Sequence, residues 1–204
     1  MSFQVCPHNV LQPSVFEQGL MGIWTPQVNA DWAGCDPSCN ACTQVCPTGT
    51  IRAVPLEEKR YARMGLAIVN PTTCLPFAEK ETYRLCVDEC ISAGYHAIDF
   101  IRVGTQLNDQ GHAIRDSGFA APVVNPARFV GCGLCQTACY HINAKNKDLL
   151  QGSAIVIKAG KDREDCILSG SYLELNRAVA KNGADSEVSP GVSESEAYLP
   201  DFLK

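Results

Sequence analysis

The stretch "GCDPSCNACTQVCPTGTI" (34–51) places Cys35, Cys39, Cys42 and Cys46 within twelve residues, with Pro47 directly after the last thiol. The spacing is C-x3-C-x2-C-x3-C-P, and glycine or proline stands at both ends of the loop. The chain has twelve cysteines in 204 residues, most of them in clusters of this kind. A secreted disulfide scaffold is one explanation for so many thiols. The N-terminus "MSFQVCPHNV" has no basic region followed by an apolar run, so no secretory signal is expected. Disulfide frameworks also spread their cysteines along the chain. Clustering without a secretory signal points to metal ligation.

The spacing selects among metals. The irons of an iron–sulfur cube lie close together, so one short loop reaches three of them, and its backbone amides turn toward the sulfurs. A fourth cysteine followed by proline leaves the loop and ligates a neighbouring cluster. Proline at that point adds no competing amide and fixes the turn. A zinc knuckle also uses four thiolates, but in two separated C-x2-C pairs. The 34–51 stretch therefore reads as iron–sulfur, with a first gap one residue longer than in the usual bacterial run.

Outward from this motif the chain repeats itself. A remnant, "CPHNVLQP", begins at Cys6. "LAIVNPTTC" (66–74) and "APVVNPARF" (121–129) share an apolar run followed by Val-Asn-Pro. Aligned on those openings, Phe129 stands where Cys74 stands, and Cys132, Cys135 and Cys139 follow at the motif's spacing. In the third segment Cys74 is the first thiol, with Cys86 and Cys90 the third and fourth. Three residues before Cys86, where a second thiol is expected, is Tyr83.

A repeating unit of short strand, cysteine loop, helical turn and short strand is expected. Strands are predicted at 66–69, 97–103, 121–124 and 154–157 from their β-branched and apolar runs. A helix is predicted over 55–63, opened by Pro55 with Glu57 and Glu58 in its first turn. A polar surface loop or hairpin is expected at 107–120, and a second helix over 165–181. The fold class is α+β: ferredoxin-like repeats of short strands, cysteine loops and short helices, with a mobile C-terminal tail. The expected organisation is a remnant motif and linker at 1–26, an iron–sulfur domain at 27–160, a helical segment at 161–181 and an acidic, flexible tail at 182–204. Within that tail, "YLPDFLK" has enough apolar content to anchor on a partner.

These residues carry a resemblance. "CPHNVLQP", "WAGCDPSCNACTQVCPTGTIRAVPLEEKRYARMGLAIVN", "CVDEC…GYHAI" and "VGCGLCQTACY" resemble the multi-cluster ferredoxin-type proteins of periplasmic nitrate reductase and methylamine dehydrogenase systems (NapG/MauM-like). The resemblance covers residues 1 to about 175, and the chain starts inside that family's first cysteine motif. It implies nested cluster pairs, an electron-transfer role and a membrane-associated redox partner. The departures are Tyr83, Phe129 and three ligands absent upstream of Cys6.

Two exchanges of fourth thiols are compatible with the spacing. Cys74 follows Cys46 by 28 residues and Cys132 follows it by 86. Shorter closure favours exchange between the second and third motifs, as does the resemblance. That gives Cys35, Cys39, Cys42 and Cys90 as a 4Fe–4S site, and Cys46, Cys74 and Cys86 as a 3Fe–4S site lacking a ligand at Tyr83. Cys132, Cys135 and Cys6, with Phe129, form a weaker third set, and Cys139 belongs to a site whose other ligands lie upstream. The longer-range alternative takes Cys139 in place of Cys90.

The net charge of −5 and the lack of a basic stripe argue against a nucleic-acid partner. No apolar run reaches the length of a membrane span. The expected localisation is cytoplasmic by default, with membrane association only through a partner. Lys59, Arg60 and Arg63 read as a solvated helix face or a docking patch, and Trp24 and Trp32 as shields over the first complete motif. His8 and His141, each two residues after a cysteine, read as exit-loop residues rather than ligands, and Cys166 as a lone thiol. No nucleophile–base pair or phosphate loop is present, so the expected role is an electron carrier or relay subunit of an oxidoreductase, not an enzyme. The rivals are a non-redox assembly or scaffold protein with partly decayed sites, and a zinc-stabilised interaction module.

Overall fold

The computed structural model describes residues 2–185 except 17, 18, 109, 111, 113, 115 and 116. The expected tail therefore lies almost wholly outside the described residues. The chain is α+β, with five α-helices and three two-stranded antiparallel sheets among the described residues. In order, β1 (Leu11–Pro13) and β2 (Pro26–Val28) pair in a hairpin that bridges the boundary expected after residue 26. Helix α1 (Ala41–Gln44) lies inside the 34–51 motif, and α2 (Leu56–Lys59) follows it. Then come β3 (Leu66–Val69), α3 (Leu85–Ser92), β4 (Ile98–Val103) and β5 (Phe119–Val124). Helix α4 (Leu134–Cys139) widens into a π-helical stretch over Tyr140–Asn146, followed by β6 (Ile155–Lys158) and α5 (Tyr172–Asp185).

The third and fourth units, 66–103 and 119–158, are copies of one plan: strand, thiol loop, helix, strand. Each opening strand pairs with the other unit's closing strand. β3 runs against β6 from Leu66↔Lys158 to Val69↔Ile155, and β5 against β4 from Val124↔Ile98 to Phe119↔Val103. The asparagine of each Val-Asn-Pro turns the chain in the same way. The Asn70 side chain accepts the Thr72 amide at 3.0 Å, and the Asn125 side chain accepts the Ala127 amide at 3.1 Å. Their own amides cross between the units: Asn70 N–H donates to the Ala154 carbonyl and Asn125 N–H to the Ala97 carbonyl, both at 2.8 Å. Helices α3 and α4 pack against each other. Between them lies one apolar cluster in which Leu66, Ala97, Ile98, Val124 and Ile155 sit beside the thiols of Cys74, Cys86, Cys90, Cys135 and Cys139.

Two expected helices are shorter or shifted. Helix α2 ends at Lys59 instead of reaching 63, because Lys59 turns inward and Arg63 reaches across to Asp165. The segment before α5 is held out of the helix by Arg52, which donates to the Ile167 and Gly170 carbonyls, so the helix begins at Tyr172 and not 165. Glu58 fixes that start by accepting from the Ser171 hydroxyl at 2.8 Å and the Tyr172 amide at 3.3 Å. Strand β5 begins inside the stretch expected as loop. No helix among the described residues is long and apolar enough to cross a membrane.

Candidate metal centre

The thiols fall into three neighbourhoods. Cys35, Cys39 and Cys42 sit on the 34–51 loop around α1, and a 3₁₀ turn over Ser2–Val5 delivers Cys6 to them. Burial pushes the Cys35 thiol above its ordinary value, opposed by the Lys59 ammonium and reinforced by Cys6 and Cys39. Cys42 is likewise raised by burial and then by Cys35, with Cys6 and Cys39 adding to the effect. All four are partly accessible.

The second neighbourhood is deeper. Burial pushes Cys74 up to about 11, with Cys139 adding to the shift, and pushes Cys86 up to about 12, with Cys74 and Cys139 contributing. Tyr83 joins them: it is 8% exposed, its hydroxyl donates to the Ala138 carbonyl at 3.1 Å, and burial, then Cys139 and Cys86, raise its phenol. In the third neighbourhood Cys135 is raised well above the ordinary range by burial and then by Cys132, Cys86 and Cys90, while Cys132 is pushed to about 11. Phe129, 5% exposed, packs in the same core.

This grouping departs from the expected exchange. Cys6 adds to the shifts of Cys35 and Cys42, while Cys35 and Cys90 both add to that of Cys132. Cys139 adds to the shifts of Cys74 and Cys86, and Cys90 to those of Cys132 and Cys135. The cause is the strand pairing. With β3 on β6 and β4 on β5, each helix carries its last thiol into the other unit. Matching amides receive the two crossed thiols: Ala97 N–H donates to Cys90 Sγ at 3.3 Å and Ala154 N–H to Cys139 Sγ at 3.4 Å. Cys46 accepts the Ile51 amide at 3.4 Å and lies 3.5 Å from the Thr48 hydroxyl. The first and fourth motifs also meet, through Cys35 N–H to the Cys132 carbonyl at 2.6 Å.

Donor chemistry is the test of whether these residues suit an iron–sulfur group. None of the twelve thiols is in a disulfide. Besides Ala97 and Ala154, backbone amides of Phe77, Val87, Leu134 and Gln136 hydrogen-bond to Cys74, Cys86, Cys132 and Cys135. Such donors favour a thiolate in a dry site. Among the described residues, no group of three or more His, Cys, Asp or Glu side chains is placed to hold a single metal ion. The sets are neighbouring thiols within electrostatic reach of one another.

The raised values have a consequence for the metal-free chain. Buried thiols hold protons that the unfolded chain, titrating near 8.5, has already released. That stability is complete below the unfolded value and is lost as pH rises through the folded ones. The urea midpoint of the metal-free protein is expected to fall steadily between about pH 8.5 and 11; a flat profile would mean the thiols are not buried together.

Lys59 was not legible as part of the site. It is 8% exposed, and its ammonium donates to the carbonyls of Asp36 and Cys39 beside the Cys35 thiol. The expected solvated face therefore loses this residue to the interior. Replacing Lys59 with Met leaves two loop carbonyls without their donor and is expected to cost about 1–3 kcal/mol, read from a urea midpoint. Asn143 was missed too: it lies one helical turn after Cys139, is 1% exposed, and directs its side-chain amide at Cys139 Sγ from 3.8 Å. Trp24 and Trp32 are 68% and 58% exposed. His8 pairs with Asp36 at 3.4 Å and His141 with the Trp32 carbonyl, and Cys166 is exposed. Compared with known protein families, with characterised proteins and with solved structures, the chain gives no match.

Proposed function

We propose that this chain is a ferredoxin-type electron-transfer protein that carries a 4Fe–4S cluster on Cys6, Cys35, Cys39 and Cys42. It relays single electrons to or from a redox protein or a membrane-associated oxidoreductase complex, as carrier or relay subunit. The observation that carries this reading is the four-thiol neighbourhood, assembled from two distant segments and free of disulfides. A bound cluster of this type supplies reversible one-electron chemistry. The chain's own part is to hold thiolates in place and offset their charge. Lys59 brings a cation beside Cys35, and the loop's partial exposure leaves this edge open to a partner. An anaerobic redox titration of the purified protein tests the role: a reversible one-electron step supports it, and a chain that neither accepts nor returns an electron refutes it.

The sets Cys74, Cys86, Cys139 and Cys132, Cys135, Cys90 each offer three thiols. In the first, Tyr83 packs beside the thiols and brings no thiolate, so these three cysteines would hold a 3Fe–4S cluster. Tyr83→Cys is expected to add a fourth thiolate and raise the iron content of this site, converting a three-iron EPR signal into that of a four-iron cluster. An unchanged iron content would mean that the site holds none. Such vacancy would favour the scaffold reading for these two units, because Tyr83 and Phe129 pack as ordinary core side chains.

A further inference from the structure

The geometry points to a binding site for a small organic acid in the cavity between the end of α2, the turn after β5 and the face of α5. The cavity has a volume of about 340 Å³, at the small end of ligand pockets, which run from roughly 300 to 1,000 Å³. This site goes beyond the electron-transfer reading and needs no metal.

Its polar wall holds three guanidinium groups, Arg60, Arg63 and Arg128, against one carboxylate, Asp165. Asp165 engages Arg63 through a terminal nitrogen at 2.8 Å. The Nε of Arg63 is buried and has no hydrogen-bond partner. An unpaired donor of that kind costs free energy. Arg128 is paired at 2.9 Å with Asp99, which lies outside the cavity wall. Arg60 forms no ion pair among the described residues. Three arginines and one acid leave an excess of positive charge, and planar guanidiniums match the two oxygens of a carboxylate.

The remaining wall selects the body of the ligand. Tyr95 presents aromatic surface, buried Phe129 and Tyr172 back the wall, and Leu175 and Val179 of α5 add apolar area. A bare inorganic anion leaves that surface unused, whereas a carboxylate carried on an aromatic or apolar group covers it. Tyr95 stands within electrostatic reach of Cys132, Cys35 and Cys90, so the occupant sits one side chain away from the thiols. The occupant class is therefore a small aromatic or apolar carboxylic acid.

Isothermal titration of the full chain with benzoate, 3-phenylpropionate and inorganic phosphate tests this. Expected is saturable one-to-one binding of at least one of the two aromatic acids, tighter than phosphate, and weakened about tenfold or more by Arg60→Gln. Arg60 is exposed, so this change leaves the core alone. Val179→Asp, at a position 57% exposed on the cavity rim, places a like charge against the acid and is expected to weaken binding in parallel. Arg84→Gln, whose partner Asp88 lies elsewhere, leaves binding unchanged. No saturable binding of either aromatic acid, phosphate binding as tightly as both, or affinity indifferent to both cavity variants overturns the proposal.

Discussion

A Cys6→Ser variant is expected to lose the cluster of the 34–51 loop, while Cys90→Ser retains it. Cys6 approaches Cys35 and Cys42 from a segment nearly thirty residues upstream and adds to the upward shift of both. Serine is a much poorer ligand than thiolate for iron, so the loop is left with three anchors. Iron in the anaerobically purified variant should fall by up to about four atoms per chain, and the corresponding EPR signal should vanish or become that of a three-iron species. Cys90→Ser acts elsewhere, on the neighbourhood of Cys132 and Cys135. If Cys90→Ser removes the signal and Cys6→Ser does not, the second and third motifs exchange their last thiols after all.

A large loss of stability is expected at Gly131. Its φ is +80°, and an added Cβ would lie 2.7 Å from both the amide nitrogen and the carbonyl oxygen of Gly65. Backbone cannot move aside as a flexible side chain can. On either side of Gly131, the Val130 carbonyl accepts the Met64 amide at 2.8 Å and the Cys132 carbonyl accepts the Cys35 amide at 2.6 Å. A shift at 131 therefore disturbs the joint between the fourth unit and both earlier segments. Gly131→Ala is expected to cost about 3–5 kcal/mol, combining left-handed strain with the clash. Against the 5–15 kcal/mol typical of whole domains, that is enough to unfold much of the population. Urea denaturation with an unchanged slope and a midpoint lowered accordingly is the measurement; a shift within about 0.5 kcal/mol would mean the turn is not packed on Gly65.

The strands were legible because their residues say the same thing locally and globally. Leu66–Val69 is β-branched or apolar throughout, and the predicted strand matches the observed one. The Val-Asn-Pro repeat was also legible, and Asn70 and Asn125 play matching parts. The partner of each thiol set was not. Closing 28 rather than 86 residues differs by only about 1 kcal/mol, because loop entropy grows with the logarithm of length. Two strand ladders and a shared apolar core outweigh so small a term. Long-range pairing is chosen by complementary surfaces that no local spacing reveals. Lys59 was hidden for a related reason: a lysine in a basic run looks solvated until the carbonyls of Asp36 and Cys39, about twenty residues earlier, are folded over it.

The most direct measurement is quantitative iron, zinc and acid-labile sulfide analysis of the anaerobically purified protein, joined to EPR of the reduced sample. If Cys6, Cys35, Cys39 and Cys42 hold a 4Fe–4S cluster, at least about four iron and four sulfide per chain are found, with a spin-half signal on reduction. Stoichiometric zinc without acid-labile sulfide, or thiols free of any metal, would contradict it.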